Sequence, residues 1–172
     1  MTLVDEIKLL LEAPTMNAND VRTLLRRDHD EALQIARDMY ESESGDERRA
    51  LLRQLKPVLY AHTRAEEREV YDALQKLRDG DEAQDIAHEG YVEHGVLDDL
   101  LERMSKSRKT ESEEWKAHAK VLLEILERHI EDEQATMFDI LAEQFSDDQR
   151  EAMGRRFLAA KARLTMKAKV AA

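Results

Sequence analysis

The sequence predicts an all-α protein: an up-down-up-down four-helix bundle, with a short helix before it and a fifth helix after it. Three observations carry that expectation. Charged residues make up 38% of the 172 and aromatics 5%, with five Gly and two Pro, a mix rich in Ala, Leu, Glu, Arg and Lys that suits long helices. Apolar residues recur every three or four positions over four long stretches, and none alternates with the two-residue period of a strand. The links between the first three stretches are short, which favours antiparallel neighbours.

The elements follow in order. Residues 2–12, with Thr2 as cap and Leu3, Ile7, Leu10 and Leu11 apolar, predict a short helix that Pro14 and the turn-formers up to Asp20 interrupt. A helix from about Asp20 to Glu43 presents Val21, Leu24, Leu25, His29, Leu33 or Ala32, Ala36 and Tyr40 on one face. After Ser44-Gly45, a second runs from Asp46 to about Leu77. Its inward stripe is Leu51, Leu52, Leu55, Leu59, His62, Glu66, Val70, Leu74 and Leu77, with Glu69 beside Val70. Pro57 inside it removes a backbone donor and predicts a kink one turn before His62. A third helix, about Asp81 to Lys106, aligns Ala83, Ala87, Gly90, Tyr91, His94, Leu97, Leu100, Leu101 and Met104. Beyond the polar run 105–112, a fourth spans about Glu113 to Phe145, with Trp115, His118, Leu122, Ile125 or Leu126, His129, Glu133, Met137 and Ile140 inward. Ser146-Asp-Asp-Gln149 reads as a capping box. The fifth helix behind it, 147–167, is amphipathic and basic, carrying Met153, Phe157, Leu158 and Leu164 among Arg and Lys. The expected organisation is a single domain over 1–172, with the bundle at 20–145.

A formal net charge of −11 argues against a general nucleic-acid binder, which needs a basic face. No apolar run is long enough to span a bilayer, and the N-terminus lacks the marks of a signal peptide. The chain has no Cys, which removes disulfides, thiolate zinc sites and thiol chemistry. A cytoplasmic protein that binds neither membrane nor nucleic acid is the expectation; its oligomeric state is open.

Chemistry concentrates in a pattern that occurs twice: His62-x-x-x-Glu66 and His129-x-x-x-Glu133. Side chains at i and i+4 share a helix face, so an imidazole and a carboxylate one turn apart hold one metal ion, or one ion each of a pair. A single copy is a weak signal in a chain this rich in Glu, and a lone His on an apolar face is more often a satisfied core residue. The combination is stronger. Both copies lie on apolar stripes, His29 and His94 lie on two others, and Glu is almost never fully buried without a partner or a cation. Four imidazoles and two carboxylates exceed what one tetrahedral zinc requires and match two ions bridged by carboxylates. Without thiolates, iron, zinc, manganese and cobalt all suit the set. The other candidates read differently. His88 turns away from the His94 face. His118 shares the face of His129 but lies about 16 Å along the axis. Asp98, four after His94, has a solvent-facing alternative. Glu67, Glu69, Glu89, Glu93, Glu131 and Asp132 read as solvated face or as partners of the ligands' outer nitrogens. Tyr60, Tyr71 and Tyr91 read as packing residues; Tyr91, one turn before His94 on the same face, has the further option of a hydrogen bond to a molecule bound at the metals.

These residues resemble the hemerythrin-like proteins with an HHE cation-binding domain. The likeness is carried by Leu25-Arg-Arg-Asp-His-Asp-Glu-Ala, His62-Thr-Arg-Ala-Glu-Glu-Arg-Glu-Val-Tyr, Glu89-Gly-Tyr-Val-Glu-His94-Gly-Val-Leu-Asp-Asp-Leu-Leu and Arg128-His-Ile-Glu-Asp-Glu-Gln-Ala-Thr-Met-Phe138. The resemblance covers about residues 20–145. It implies a bundle holding two non-haem iron ions, oxo- or hydroxo-bridged, that bind dioxygen, peroxide or nitric oxide. His29, His62, Glu66, His94, His129 and Glu133 become the iron ligands, Glu66 and Glu133 able to bridge. Two departures stand out against the oxygen-carrying hemerythrins. Their third helix supplies His-x-x-x-His where this chain has Asp98, and their last motif ends in Asp one residue later, where this chain has Gln134 after Glu133. The Phe-Tyr-Pro phrase common after the first motif is Val70-Tyr71-Asp72. Fewer imidazoles leave more open coordination, which shifts the expected chemistry from reversible oxygen carriage toward redox reaction with peroxide or nitric oxide. The sequence holds no separate nucleophile or triad, so any catalysis falls to the metal. The alternative expectation is an iron or redox sensor, or an iron-storage protein, that signals by metal-dependent folding, with the basic fifth helix as partner surface or flap. A third is a structural bundle without metal.

Overall fold

The computed structural model describes residues 17–77 and 81–171. Among them every regular element is helical, and no helix is long and apolar enough to cross a membrane. The short helix expected over 2–12 lies outside the described residues.

Helix α1 is Val21–Glu41, and Asp20 caps it by accepting from Arg22 N at 2.9 Å. Helix α2 comprises Gly45–Glu66, a π-helical turn Glu67–Tyr71 and a last turn Asp72–Leu74. Its cap is Ser44, whose hydroxyl accepts from Glu47 N at 3.3 Å. Helix α3 is Asp81–Lys106. Helix α4 comprises Glu113–Asp132, a second π-helical turn Glu133–Met137, and Phe138–Gln144, and Ser112 caps it. Helix α5 is Asp147–Ala171. The expected capping box before it is formed: Gln149 N donates to Ser146 Oγ at 3.3 Å, and Ser146 N donates to Gln149 Oε1 at 2.8 Å.

Helix α2 continues without a break through Pro57, as expected, and leaves α geometry at Glu67–Tyr71. Both π-turns open at the end of a His-x-x-x-Glu motif, one directly after Glu66 and the other at Glu133. A π-turn takes up one extra residue and rotates everything beyond it relative to the preceding face. Downstream of each Glu, therefore, the inward set is no longer the one that a constant period of 3.6 assigns.

Two apolar clusters form the core, and the histidines lie between them. One contains Leu25, Val70, Leu74, Ala87, Met137 and Phe157. The other contains Ala36, Leu55, Leu59, Leu97, Trp115 and Leu126. Along α1 the chain passes from the first cluster through His29 to the second, and α2 returns through His62. Helix α3 passes out again through His94, and α4 returns through His129. The six side chains are thus set in a polar layer between two apolar ones, closed to water along the helix axes.

Helix α5 packs on α1 and α2. Met153, Phe157 and Ala160 complete the first cluster. Gly154 permits the close approach to the start of α1, since a Cβ there would lie 2.0 Å from the carbonyl oxygen of Asn19. Arg150 is buried and donates to Asp20 Oδ2 at 2.9 Å, which fastens the first turn of α5 to the cap of α1. The helix expected from its sequence as amphipathic and basic is therefore anchored to the bundle by both its apolar and its basic residues.

Candidate metal centre

The side chains of His29, His62, Glu66, His94, His129 and Glu133 converge at mid-bundle, and all are at most 3% exposed. They fall into two overlapping groups. His29, His62 and Glu66 form one, and Glu66, His94, His129 and Glu133 the other, with the ligand atoms of each group within 4.8 Å of one another. Glu66 belongs to both. Glu133 Oε2 lies 3.5 Å from His129 Nε2 and 3.3 Å from His29 Nε2, so it too reaches across the divide.

The outward nitrogens of the rings are held. His62 Nδ1 is 3.3 Å from Asp28 Oδ2, His94 Nδ1 is 3.0 Å from Glu67 Oε1, and His129 Nδ1 is 2.8 Å from Glu93 Oε2. A carboxylate there accepts the Nδ1–H, which leaves Nε2 as the lone-pair nitrogen of a neutral ring facing the centre. His29 Nδ1 faces Gln134 at 3.3 Å. These partners were legible in part: Glu67 and Glu93 stood among the acidic residues of the site helices, whereas Asp28, next to His29 in sequence, serves His62 across the helix pair.

The interior does not satisfy itself. His29 Nε2, both oxygens of Glu66, and Glu133 Oε2 are buried without a hydrogen-bond partner. The separations from these atoms to neighbouring imidazoles, 3.3 Å for His62 Nε2 to Glu66 and 3.6 Å for His94 Nε2 to Glu66, are contacts without hydrogen-bond alignment. At metal–ligand bonds of about 2.1 Å, neighbouring ligand atoms stand about 3.0–3.4 Å apart. The Nε2 atoms of His94 and His129 face each other at 3.1 Å. With both Nδ1 protons directed at carboxylates, two lone pairs oppose each other there unless a cation or a proton lies between. Nitrogen and oxygen donors in this number and spacing fit metal ions.

In the metal-free chain, protons take the cations' place. Burial alone would push the His62 imidazole down; Glu66 and Asp28 outweigh it and raise it to about 10. Burial opposes charge at His129 as well, yet Glu133, Glu93 and Glu66 raise it to about 9. Burial acts to raise Glu133, but the imidazoles of His129, His29 and His94 hold its carboxyl well below the usual range.

One residue read from the sequence as packing belongs to the site. Tyr71 is fully buried, its Oη donates to Glu133 Oε1, and the same oxygen lies 3.4 Å from His94 Nε2. Burial and then Glu133 push its phenol well above the ordinary value, which keeps it a donor. Tyr71 is five residues beyond Glu66, about 140° off its face on a regular helix; the π-turn brings it back. Gly90 makes room for it, since a Cβ there would lie 2.3 Å from Tyr71 Oη. Tyr91 takes no such place: its Oη donates to Asp72 Oδ1 at 2.9 Å and to the carbonyl oxygen of Glu67 at 3.2 Å, on the outer side of the turn. Asp98 pairs with Arg64 outside both ligand groups. His88 is exposed, and His118 lines a cleft with Trp115 and Arg103 toward the other end of α4.

Helix α5 closes the His62 side. The Phe157 ring meets the His62 ring edge-on at 5.8 Å between centroids, and Lys161 Nζ donates to Asp28 Oδ2.

Comparison with known proteins agrees with this geometry. The family model described as the hemerythrin HHE cation binding domain matches residues 20–141. A curated relative from Nostoc sp. (strain PCC 7120 / SAG 25.82 / UTEX 2576), described as a DNA nickase, is 26% identical over 149 residues, which cover 87% of this chain and 40% of that protein. The chain thus spans less than half the length of that relative. No solved structure matches it. The family match begins at the cap of α1, ends within the last turns of α4 and takes in all six converging side chains: the chain belongs to the hemerythrin HHE cation-binding domain family.

Proposed function

We propose that this protein is a non-haem di-iron protein that binds or reduces a small oxidant, dioxygen, peroxide or nitric oxide, at a carboxylate-bridged centre. The ligands are His29, His62, Glu66, His94, His129 and Glu133, with Glu66 and Glu133 bridging. One observation carries the reading: imidazole nitrogens and carboxylate oxygens converge in a water-excluded layer, and four of these atoms have no hydrogen-bond partner. The alternation with which α1 to α4 visit the two apolar clusters supports an up-down-up-down arrangement of the four helices.

Bound there, two iron ions supply the electrons and the open coordination positions that a small oxidant needs. The chain supplies the rest. Asp28, Glu67 and Glu93 fix the ring orientation of three histidines and make their inner nitrogens stronger donors. Tyr71 holds a proton at Oη against Glu133, within reach of an oxygen-containing molecule in the site. Leu, Met and Phe side chains above and below exclude water, which strengthens each electrostatic contact inside. The nicking activity in the relative's description is that of a protein more than twice as long, and the converging ligands give it no support here.

Metal analysis with a visible spectrum of air-exposed protein tests the reading. About two irons per chain and the absorption of a bridged di-ferric centre are expected; a folded protein purified from iron-supplied cells without metal would sink it. A second reading, an iron or redox sensor, draws on α5, which touches His62 and Asp28 directly. A sensor would lose helicity on iron removal without consuming peroxide. A catalyst would consume peroxide or nitric oxide, and a carrier would change colour reversibly with oxygen.

A further inference from the structure

Three of the four inward imidazoles share one arrangement. Asp28, Glu67 and Glu93 hold the Nδ1 atoms of His62, His94 and His129, and each carboxylate is held in turn by a cation: Lys161, Arg64 and Arg128. His29 departs from it. Its Nδ1 faces the amide of Gln134, with Nε2 at 3.3 Å, a neutral group where the other rings have a charged one. A half turn of the amide presents Oε1 instead, the end required by an imidazole that carries its proton on Nδ1 and binds through Nε2. Gln134 lies in the second π-turn and is half-buried, lining an open groove between α1 and α4 with Arg26, Leu33 and Ile130.

We propose that Gln134 is a positioning residue that keeps the His29 side of the centre the weaker of the two metal positions; this rests on the di-metal reading above. A carboxylate on Nδ1 draws the ring proton toward itself and makes Nε2 a stronger donor, and an amide carbonyl does so less. The ion held by His29 and His62 is therefore the first to leave, and its side faces the groove that Gln134 lines.

The test is release of iron(II) from anaerobically loaded full-length protein to a chromophoric iron(II) chelator. Wild-type protein is expected to release its iron in two phases of equal amplitude. Gln134→Glu should slow the fast phase by about tenfold or more, and Gln134→Met should speed it by a similar factor. The slow phase should stay unchanged in both. A merely structural role would not produce opposite signs, because disturbed packing speeds release in either variant. A fast phase that Gln134→Glu leaves unchanged or accelerates overturns the proposal, as does a parallel shift of both phases. Uptake of less than one iron per wild-type chain would refute the di-metal reading itself. Two irons that leave in a single phase, unaffected by either substitution, would refute only the role of Gln134.

Discussion

Glu66 is the residue whose replacement separates the metal-centre reading from a purely structural one. It is fully buried, neither oxygen has a hydrogen-bond partner, and it belongs to both ligand groups. Four buried site atoms lack partners. At about 1–3 kcal/mol for each unsatisfied buried polar atom, leaving all four with neither a proton nor an ion to contact would cost about 4–12 kcal/mol. Mass action provides a second figure. Iron(II) at a hundred times its dissociation constant stabilises by about 2.7 kcal/mol per site, about 5 kcal/mol for two. At about 2–4 °C per kcal/mol for a chain of this size, the melting temperature should rise by about 10–20 °C. Glu66→Gln keeps the volume and removes the charge shared by both positions, and its amide N–H can donate to His62 Nε2. The metal-free variant also gives up the attraction between Glu66 and the protonated His62 ring, so it should unfold at or below the temperature of metal-free wild type. It should lose both ions, and with them the iron-dependent rise. Thermal unfolding followed by circular dichroism under anaerobic conditions, with metal analysis of the same samples, measures both quantities. If Glu66→Gln binds two irons and shows the full rise, Glu66 is not a shared ligand and the reasoning fails.

Other expectations follow from the same geometry. The metal-free protein should lose stability as pH rises: the folded values of about 10 for His62 and about 9 for His129 lie above the unfolded value near 6.5, so their contribution is complete below about pH 6.5 and disappears through pH 9–10. Bound metal replaces those protons, so urea unfolding of the loaded protein should show no such alkaline loss, and equal alkaline loss with and without metal would contradict the assignment. Tyr71→Phe removes a buried hydrogen bond to a carboxylate and should cost about 1.5–3 kcal/mol in denaturant unfolding while iron is retained. Gly90→Ala drives a methyl into Tyr71 and should cost about 1–3 kcal/mol by overpacking; no change would mean that α3 and Tyr71 are not packed as described. Phe157→Ala leaves a cavity beside His62 and should cost about 3–5 kcal/mol, with faster loss of iron to chelator. Asp98→Ala should leave iron content unchanged and shift stability by less than about 1 kcal/mol, because its side chain is 34% exposed and paired with Arg64.

The sequence by itself determined the helical class, the approximate extents of five helices, and which side chains turn inward ahead of each Glu. Composition and a 3.6-residue period are local properties, and a buried Glu at i+4 from a buried His is rare enough to be noticed. Ser146 and Gln149 likewise marked the start of the fifth helix, since a capping box is written within four residues. Only the tertiary structure decided the rest. Tyr71 replaces Tyr91 at the site because a π-turn rotates the helix after Glu66, a shift in phase that no periodic reading detects. Asp28 serves His62 rather than its neighbour His29, across 34 positions, and Gln134 meets His29 across 105. Helix α5 turned from a basic amphipathic segment into a wall of the His62 side through Phe157 and Lys161. Each of these depends on how two helices face one another, which is set by the packing of both apolar layers together and not by the residues of either helix alone.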